Sequence, residues 1–123
     1  MIKYSGTLIA VDDMERSKMF YRELFGLEVE EDNGANVMLS GGIYLQTYDT
    51  WNEFAEFGGN ITRPNNSSEL YFATDDMDGF LDKLERCENI RYVHHVKKHS
   101  WGQRAVRFYD PDGHIIEVGE SSF

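Results

Sequence analysis

An arginine and a glutamate are predicted to face each other near the end of the chain. Asp110-Pro111-Asp112-Gly113 has proline and glycine where a three-residue hairpin loop needs them. Counting back from this turn places Arg107 opposite Glu117, and the alternation of side chains puts Tyr109 on the same face. A carboxylate, a guanidinium and a phenol on one open sheet face form a candidate site.

The hairpin that would carry this site extends from Trp101 to Val118. Its other face is apolar throughout, which predicts that this face is buried. The residues of the apolar face are Val106, Phe108, Ile116 and Val118.

A repeat supplies the rest of the scaffold. Asp12-Asp13-Met14 recurs as Asp75-Asp76-Met77, an offset of 75 − 12 = 63 residues, and each copy offers an N-cap to a helix. The helix after the first copy is predicted to end at Gly26. Between the two copies, Trp51, Phe54 and Phe57 could line one side of an additional short helix. Strands are predicted over 4–11, 27–30, 36–39, 43–48, 69–74 and 90–93, before the two of the closing hairpin.

The order strand, helix, three strands therefore occurs twice, and the predicted fold class is α+β with two βαβββ modules in one domain, 1–123. Module one covers 1–50, a connecting segment 51–68, and module two 69–123. Each helix covers one face of a four-stranded sheet, and the two remaining faces can form a cup. The repeat relates Gln46 to Glu117 and Gly6 to Glu69, so these four positions could converge.

Composition and charge limit the class of partner. The 123 residues include 22 acidic and 12 basic side chains, a net charge of −10, which argues against nucleic acid and against an anionic membrane. No apolar run approaches the roughly 18 residues of a membrane span. The single cysteine, Cys87, has no partner for an internal disulfide, and we expect a cytoplasmic protein.

These motifs resemble the vicinal oxygen chelate superfamily, which includes glyoxalase I, the bleomycin and fosfomycin resistance proteins and extradiol dioxygenases. Three stretches carry the resemblance, which extends over essentially the whole chain: the segment from Val11 to Ser17 with Phe20-Tyr21, the sequence Leu24-Phe25-Gly26-Leu27, and Trp101-Gly102-Gln103-Arg104 leading to Glu117. The resemblance implies paired βαβββ modules around a cup, a homodimer, and often a divalent metal that chelates adjacent substrate oxygens.

The metal ligands that the resemblance implies are Gln46, Glu69 and Glu117, whereas Gly6 has no side chain to offer. Such a site would hold Mg²⁺, Mn²⁺, Fe²⁺ or Ni²⁺, and would favour Zn²⁺ less than a histidine-bearing site. A competing interpretation pairs Glu117 with Arg107 across the strands. Arg107 would also oppose a cation, and it would suit an anionic substrate group.

Other candidate residues are aromatic or imidazole side chains. Together with Arg107, the predicted substrate-binding residues are Tyr109, Trp101 and Tyr48. His94, His95 and His99 are predicted to be solvated loop residues, one of which could reach the cup as a proton carrier.

The sequence leaves two main functions open. A third possibility is that the protein serves only as an interaction domain. The first is a glyoxalase-type lyase or isomerase, in which a metal polarises adjacent substrate oxygens and Glu69 or Glu117 moves a proton on carbon. The second is a metal-free protein of the bleomycin-resistance type, which sequesters a small molecule.

Overall fold

The computed structural model describes residues 1–59 and 61–122, so position 60 of the predicted connecting segment and position 123 of module two lie outside the described residues. The chain forms two compact units, Met1–Thr62 and Arg63–Phe123. The elements described in the first unit are β1 (Thr7–Val11), α1 (Met14–Phe25), β2 (Val29–Asp32), β3 (Asn36–Leu39), β4 (Ile43–Thr47) and α2 (Tyr48–Ala55). Those of the second are β5 (Leu70–Thr74), α3 (Met77–Glu85), β6 (Tyr92–Lys98), β7 (Arg104–Tyr109) and β8 (Ile115–Glu120).

The two sheets have the same topology. Their strand orders are β1-β4-β3-β2 and β5-β8-β7-β6. The pairs β1–β4 and β5–β8 are parallel, and the other neighbouring strands are antiparallel. The predicted pair of βαβββ modules is confirmed. The segment predicted as a connection contributes α2, which packs against β4 and β1, to the first unit.

Both long helices begin at the second aspartate of the repeated motif. The Asp13 side chain accepts a hydrogen bond from the backbone N–H of Arg16 at 3.1 Å, and that of Asp76 accepts one from Gly79 at 3.0 Å. Each bond satisfies an amide that the first helical turn leaves unpaired. At 12 residues α1 is the longest helix, and no helix in the described residues is long and apolar enough to span a membrane.

The closing hairpin has the predicted register. Arg107 pairs with Glu117 and Phe108 with Ile116, and the Asp110 side chain accepts hydrogen bonds from the backbone N–H groups of Asp112 and His114, both at 2.9 Å. The apolar face is buried as predicted, with its four side chains at most 1% exposed. A fixed turn and a dry face leave this hairpin one register.

Several predicted boundaries were wrong. The second strand begins at Val29 rather than 27, because the backbone N–H of Leu27 donates to Tyr21 at 3.3 Å and continues the helix end. The strand predicted at 90–93 is β6, which includes His94 and His95. Tyr48 begins α2 instead of ending β4.

Candidate functional site

Four side chains form a row across the second sheet. The strand registers pair Tyr71 with Glu117, Glu117 with Arg107, and Arg107 with His94. Residues paired in this way point to the same face of a sheet. Glu69 comes directly before β5, and its side chain reaches the same face because it contacts Arg107.

Arg107 connects the charged members of this row. Its Nε donates to Glu69 Oε1 at 2.7 Å, and its Nη2 donates to Glu117 Oε1 at 2.8 Å. The third guanidinium nitrogen, Nη1, lies 3.2 Å from His94 Nε2. We call Glu69, His94, Arg107 and Glu117 the Arg107 cluster.

The bonds of His94 define its protonation. A guanidinium can only donate, so His94 Nε2 must accept the bond from Arg107. His94 Nδ1 lies 2.9 Å from the carbonyl oxygen of His95 and must donate to it. These two partners assign a neutral imidazole with its proton on Nδ1.

The two carboxyl groups have opposite pKa shifts. Burial and the neighbouring carboxyl of Glu69 raise the pKa of Glu117 to about 7, although Arg107 acts against this rise. Burial also acts to raise the pKa of Glu69, but hydrogen bonds to Glu117 and Arg107 outweigh it and lower the value. The pair therefore shares a proton below neutral pH, with Glu117 as its carrier.

Tyr71 extends over the neighbouring part of the same face. A Cβ added at Gly119 would lie 2.6 Å from the Tyr71 hydroxyl and 2.8 Å from Gln103 Nε2, so a side chain at this position would displace the ends of both residues. Gln103 Nε2 donates to the Tyr71 hydroxyl at 3.3 Å and to the carbonyl oxygen of Glu120 at 3.0 Å. Tyr71 nevertheless remains 54% exposed, which leaves its ring accessible to a ligand.

The three predicted aromatic binding residues lie in different places. Trp101 is in the loop between β6 and β7, 70% exposed, where its ring stacks on His99 at 4.3 Å. Tyr109 is on the face of the Arg107 cluster, with the Arg91 guanidinium 5.2 Å from its ring centre. Tyr48 is in the first unit, and its binding role, like that of Trp101 and Tyr109, stays a prediction.

The first sheet has an uncharged row at the matching place. Gln46, which is 5% exposed, pairs with Ala10 on β1 and Asn36 on β3. Gly6 is not close to Gln46, because the Thr7 backbone N–H donates to the carbonyl oxygen of Gly42 at 2.8 Å. Gly6 thus lies beside Gly42, four residues or about 13 Å along the strand from Gln46.

The proposed correspondence between Gly6 and Glu69 was therefore wrong in space. Glu69 lies two residues before the partner of Glu117, and the residue two before the partner of Gln46 is Leu8. Gly6 could not carry a ligand in any case. Its φ is +151°, and an added Cβ would collide with the Gly42 carbonyl oxygen.

The Arg107 cluster does not fit a divalent metal, which members of this superfamily often use. The carboxylate oxygens that would bind the metal already accept hydrogen bonds from a permanent cation. Within 1–59 and 61–122, no group of three or more His, Cys, Asp or Glu side chains is placed to hold a metal. The structure brings Glu69 and Glu117 together as predicted, whereas Gln46 belongs to the first unit.

A separate cavity of about 500 Å³ lies between α1 and the start of β2 in the first unit. Its lining includes Arg16, Lys18, Met19 and Leu27, and none of the predicted site residues. Lys18 is held in ion pairs with Glu15 and Asp32, at 3.0 and 2.9 Å.

Sequence reasoning missed Tyr71 and Gln103 on this face, and it named His94 only as one of three loop histidines that could reach the cup. His94 was assigned to a loop, because bulges interrupt β6 on both sides of it and hide its alternation. Tyr71 belonged to no motif, and Gln103 was named only as part of the stretch that carries the resemblance. Gly119 was the available signal, because a glycine inside a strand often marks a close approach by another group.

The comparisons with known proteins agree with this fold. A family profile described as a glyoxalase-like domain matches residues 4–122. The chain belongs to the glyoxalase-like family. No curated protein matches it at a significant level.

Solved structures extend the likeness. A protein of unknown function from Agrobacterium tumefaciens is 32% identical, with a TM-score of 0.84 over 99% of this chain and 96% of that one. A glyoxalase/bleomycin resistance protein/dioxygenase family enzyme from Burkholderia phytofirmans is 14% identical, with a TM-score of 0.82 and coverage of 97% and 98%. The fosfomycin resistance protein FosX from Listeria monocytogenes is 15% identical, with a TM-score of 0.76 and coverage of 100% and 96%. The last two identities show a shared fold alone.

Proposed function

We propose that this protein binds a small organic molecule, without a metal ion, on the open face of the second sheet. The observation that carries the proposal is the position of Arg107, which is hydrogen-bonded to both candidate metal-binding carboxylates. A metal at the same place would have to break these bonds and lie beside a guanidinium.

The cluster offers a polar ligand both donors and acceptors. The side chains of Arg107 and Glu69 are 29% and 30% exposed, so a ligand can reach them. Below pH 7 the Glu117 carboxyl carries a proton and can donate it in a hydrogen bond. Tyr71 adds an exposed aromatic surface to this polar group, a combination typical of small-molecule sites. A compound with adjacent hydroxyl or carbonyl oxygens suits this arrangement.

The test is a thermal-shift and calorimetric screen of small oxygen-rich compounds, performed in EDTA. We expect binding in EDTA, and a loss of at least tenfold in affinity for Arg107→Met. Arg104→Met is a matched control, since Arg104 is on the same strand and also pairs with two acidic residues, Glu120 and Asp78. Ligands that bind only after a divalent metal is added would contradict the proposal.

A second candidate function is metal-independent proton transfer by Glu117. Its pKa of about 7 is suited to a general base that works near neutral pH. In this reaction the Glu117 carboxylate removes a proton from the carbon beside a ligand carbonyl, and Arg107 stabilises the oxygen that gains charge. NMR would detect deuterium exchange at that carbon. We expect the rate to rise to a plateau through pH 7, and Glu117→Gln to abolish it.

We also propose that the protein forms a homodimer. Short chains with two modules often dimerise in the superfamily that this sequence resembles, which supports the proposal. Light scattering coupled to gel filtration tests it. The expected mass is twice the 14.3 kDa of the chain.

A further inference from the structure

The guanidinium of Arg107 keeps some hydrogen-bonding capacity after the contacts of the cluster are made. A guanidinium carries five N–H groups, one on Nε and two on each terminal nitrogen. Nε donates to Glu69, Nη2 donates to Glu117 and Nη1 donates to His94. Among residues 1–59 and 61–122 these are the partners of Arg107, so one N–H group remains on each terminal nitrogen. Because the side chain is partly exposed, a ligand can accept hydrogen bonds from both.

The charge of Arg107 is already balanced within the cluster. The guanidinium forms ion pairs with Glu69 at 2.7 Å and with Glu117 at 2.8 Å. His94 adds no charge, because its two ring partners assign a neutral imidazole. Near neutral pH Glu69 is ionised, and the formal charge of the cluster is zero when Glu117 is protonated and −1 when it is not. The cluster therefore has no net positive charge to attract an anion.

An anionic ligand fits this arrangement poorly. Its oxygens would have to lie beside the oxygens of Glu69 and Glu117 that already accept hydrogen bonds from the same guanidinium. Like charges repel strongly at such short range in a partly desolvated site. The net charge of −10 on the whole chain adds to this repulsion. An uncharged oxygen can accept the same two N–H groups without it.

We infer that the Arg107 cluster selects uncharged ligands and rejects carboxylates. The ligands that it suits are amides, ketones and polyols in which two neighbouring oxygens accept from the two remaining N–H groups of Arg107. The inference names the ligand class of the proposed metal-free site and rests on that proposal. The sequence alone favours an anionic group at Arg107, and the second carboxylate bonded to its guanidinium is the reason for the opposite inference.

The test compares the binding of matched acids and amides, at pH 8 and in EDTA. The pairs are lactate and lactamide, mandelate and mandelamide, and pyruvate and pyruvamide, whose members differ in charge but little in size. Calorimetry and the NMR shifts of the backbone amides of β7 and β8 measure binding. At this pH Glu117 is ionised and the cluster is negative. We expect the amide of each binding pair to bind at least tenfold more tightly than the acid.

Glu69→Gln combined with Glu117→Gln should reverse this preference. The double variant removes both negative charges and keeps an amide oxygen beside each donor of Arg107, so the guanidinium is left with an unbalanced positive charge. We expect the affinity for the acids to rise at least tenfold and to exceed that for the amides. Circular dichroism and thermal unfolding establish that the variant is folded. If it is not, the comparison in the unchanged protein still decides.

The matched control is Asp78→Asn combined with Glu120→Gln. It removes two negative charges that pair with Arg104, an arginine of the same strand, and leaves the Arg107 cluster unchanged. The control should retain the preference for the amides.

The outcomes separate this inference from the proposed function. Acids that bind the unchanged protein as tightly as their amides would overturn the inference and leave metal-free ligand binding intact. A folded double variant of the cluster that still prefers the amides would do the same. If no member of any pair binds in EDTA, the inference and the proposed function both fail.

Discussion

The two units have the same scaffold, but the matching faces of their sheets have different chemistry. In the first unit the central pair is Gln46 opposite Asn36, two neutral amides. In the second it is Glu117 opposite Arg107, with Glu69 and His94 bonded to the same guanidinium. The repeat therefore conserves caps, strand order and topology between the units, and it does not conserve the residues of the open face.

The central pair of the open face is therefore neutral in the first unit and charged in the second. A carboxylate at 10% exposure is tolerated there because a guanidinium lies directly across the strand pair. Gln46 is buried to a similar degree without such a partner, and a neutral amide avoids the cost of burying a charge.

Gln46→Glu is the largest expected perturbation. It places a carboxylate on the first sheet with Asn36, not an arginine, across from it, and we expect a loss of about 3 kcal/mol in the free energy of unfolding at pH 8. The loss should be smaller at pH 5, where the new carboxyl can be protonated. Urea unfolding measures both values, and an unchanged stability at pH 8 would show that the first face accepts charge as well as the second.

Arg107→Ala should lower the free energy of unfolding by about 2 kcal/mol. The change leaves Glu69 and Glu117 without their shared donor, but partial exposure of both Arg107 and Glu69 keeps the loss below that of a fully buried pair. The matched change in the first unit is Asn36→Ala, with an expected loss below about 0.5 kcal/mol. Equal losses measured by urea unfolding would remove the proposed contrast between the faces.

Glu117→Gln should flatten the dependence of stability on pH. Because the folded pKa is raised to about 7 from the ordinary 4.5, the protonated carboxyl stabilises the fold most below pH 4.5, and this contribution is lost as the pH rises to 7. Between pH 5 and 8 the unchanged protein should lose roughly 2 kcal/mol relative to the variant, because about two pH units separate pH 5 from the folded pKa of Glu117. Parallel curves for the two proteins would contradict the shift.

Asp13→Ala and Asp76→Ala should have equal and smaller effects. Each removes one N-cap hydrogen bond, and we expect a loss of about 1 kcal/mol for either change. Thermal unfolding of the two variants measures this. A twofold or greater difference would indicate that the scaffold is less symmetric than the repeat.

The sequence predicted best where local chemistry decides the structure. The turn at Asp110 fixed the register of Arg107 and Glu117, and Asp13 and Asp76 marked the helix starts. These features depend on contacts within a few residues, so a single sequence contains them.

The prediction failed where distant strands meet. No turn sets the register of a parallel pair, and β1 and β5 differ by two residues in their pairing with β4 and β8. The repeat offset therefore matched Gly6 to Glu69. In the structure the residue that lies relative to Gln46 as Glu69 lies relative to Glu117 is Leu8. The position of His94 on this face was not predicted for a related reason. Two bulges on β6 interrupt the alternation of side chains that would have assigned His94 to a face.

The most direct test of the shared cluster is a carbon-13 NMR titration of the glutamate side-chain carboxyls, in the unchanged protein without metal. We predict that Glu117 titrates at a pH of about 7, that Glu69 titrates below its ordinary value of 4.5, and that both resonances respond to Arg107→Met. If both groups titrate independently near 4.5 and neither responds to that substitution, the cluster does not exist in solution as described.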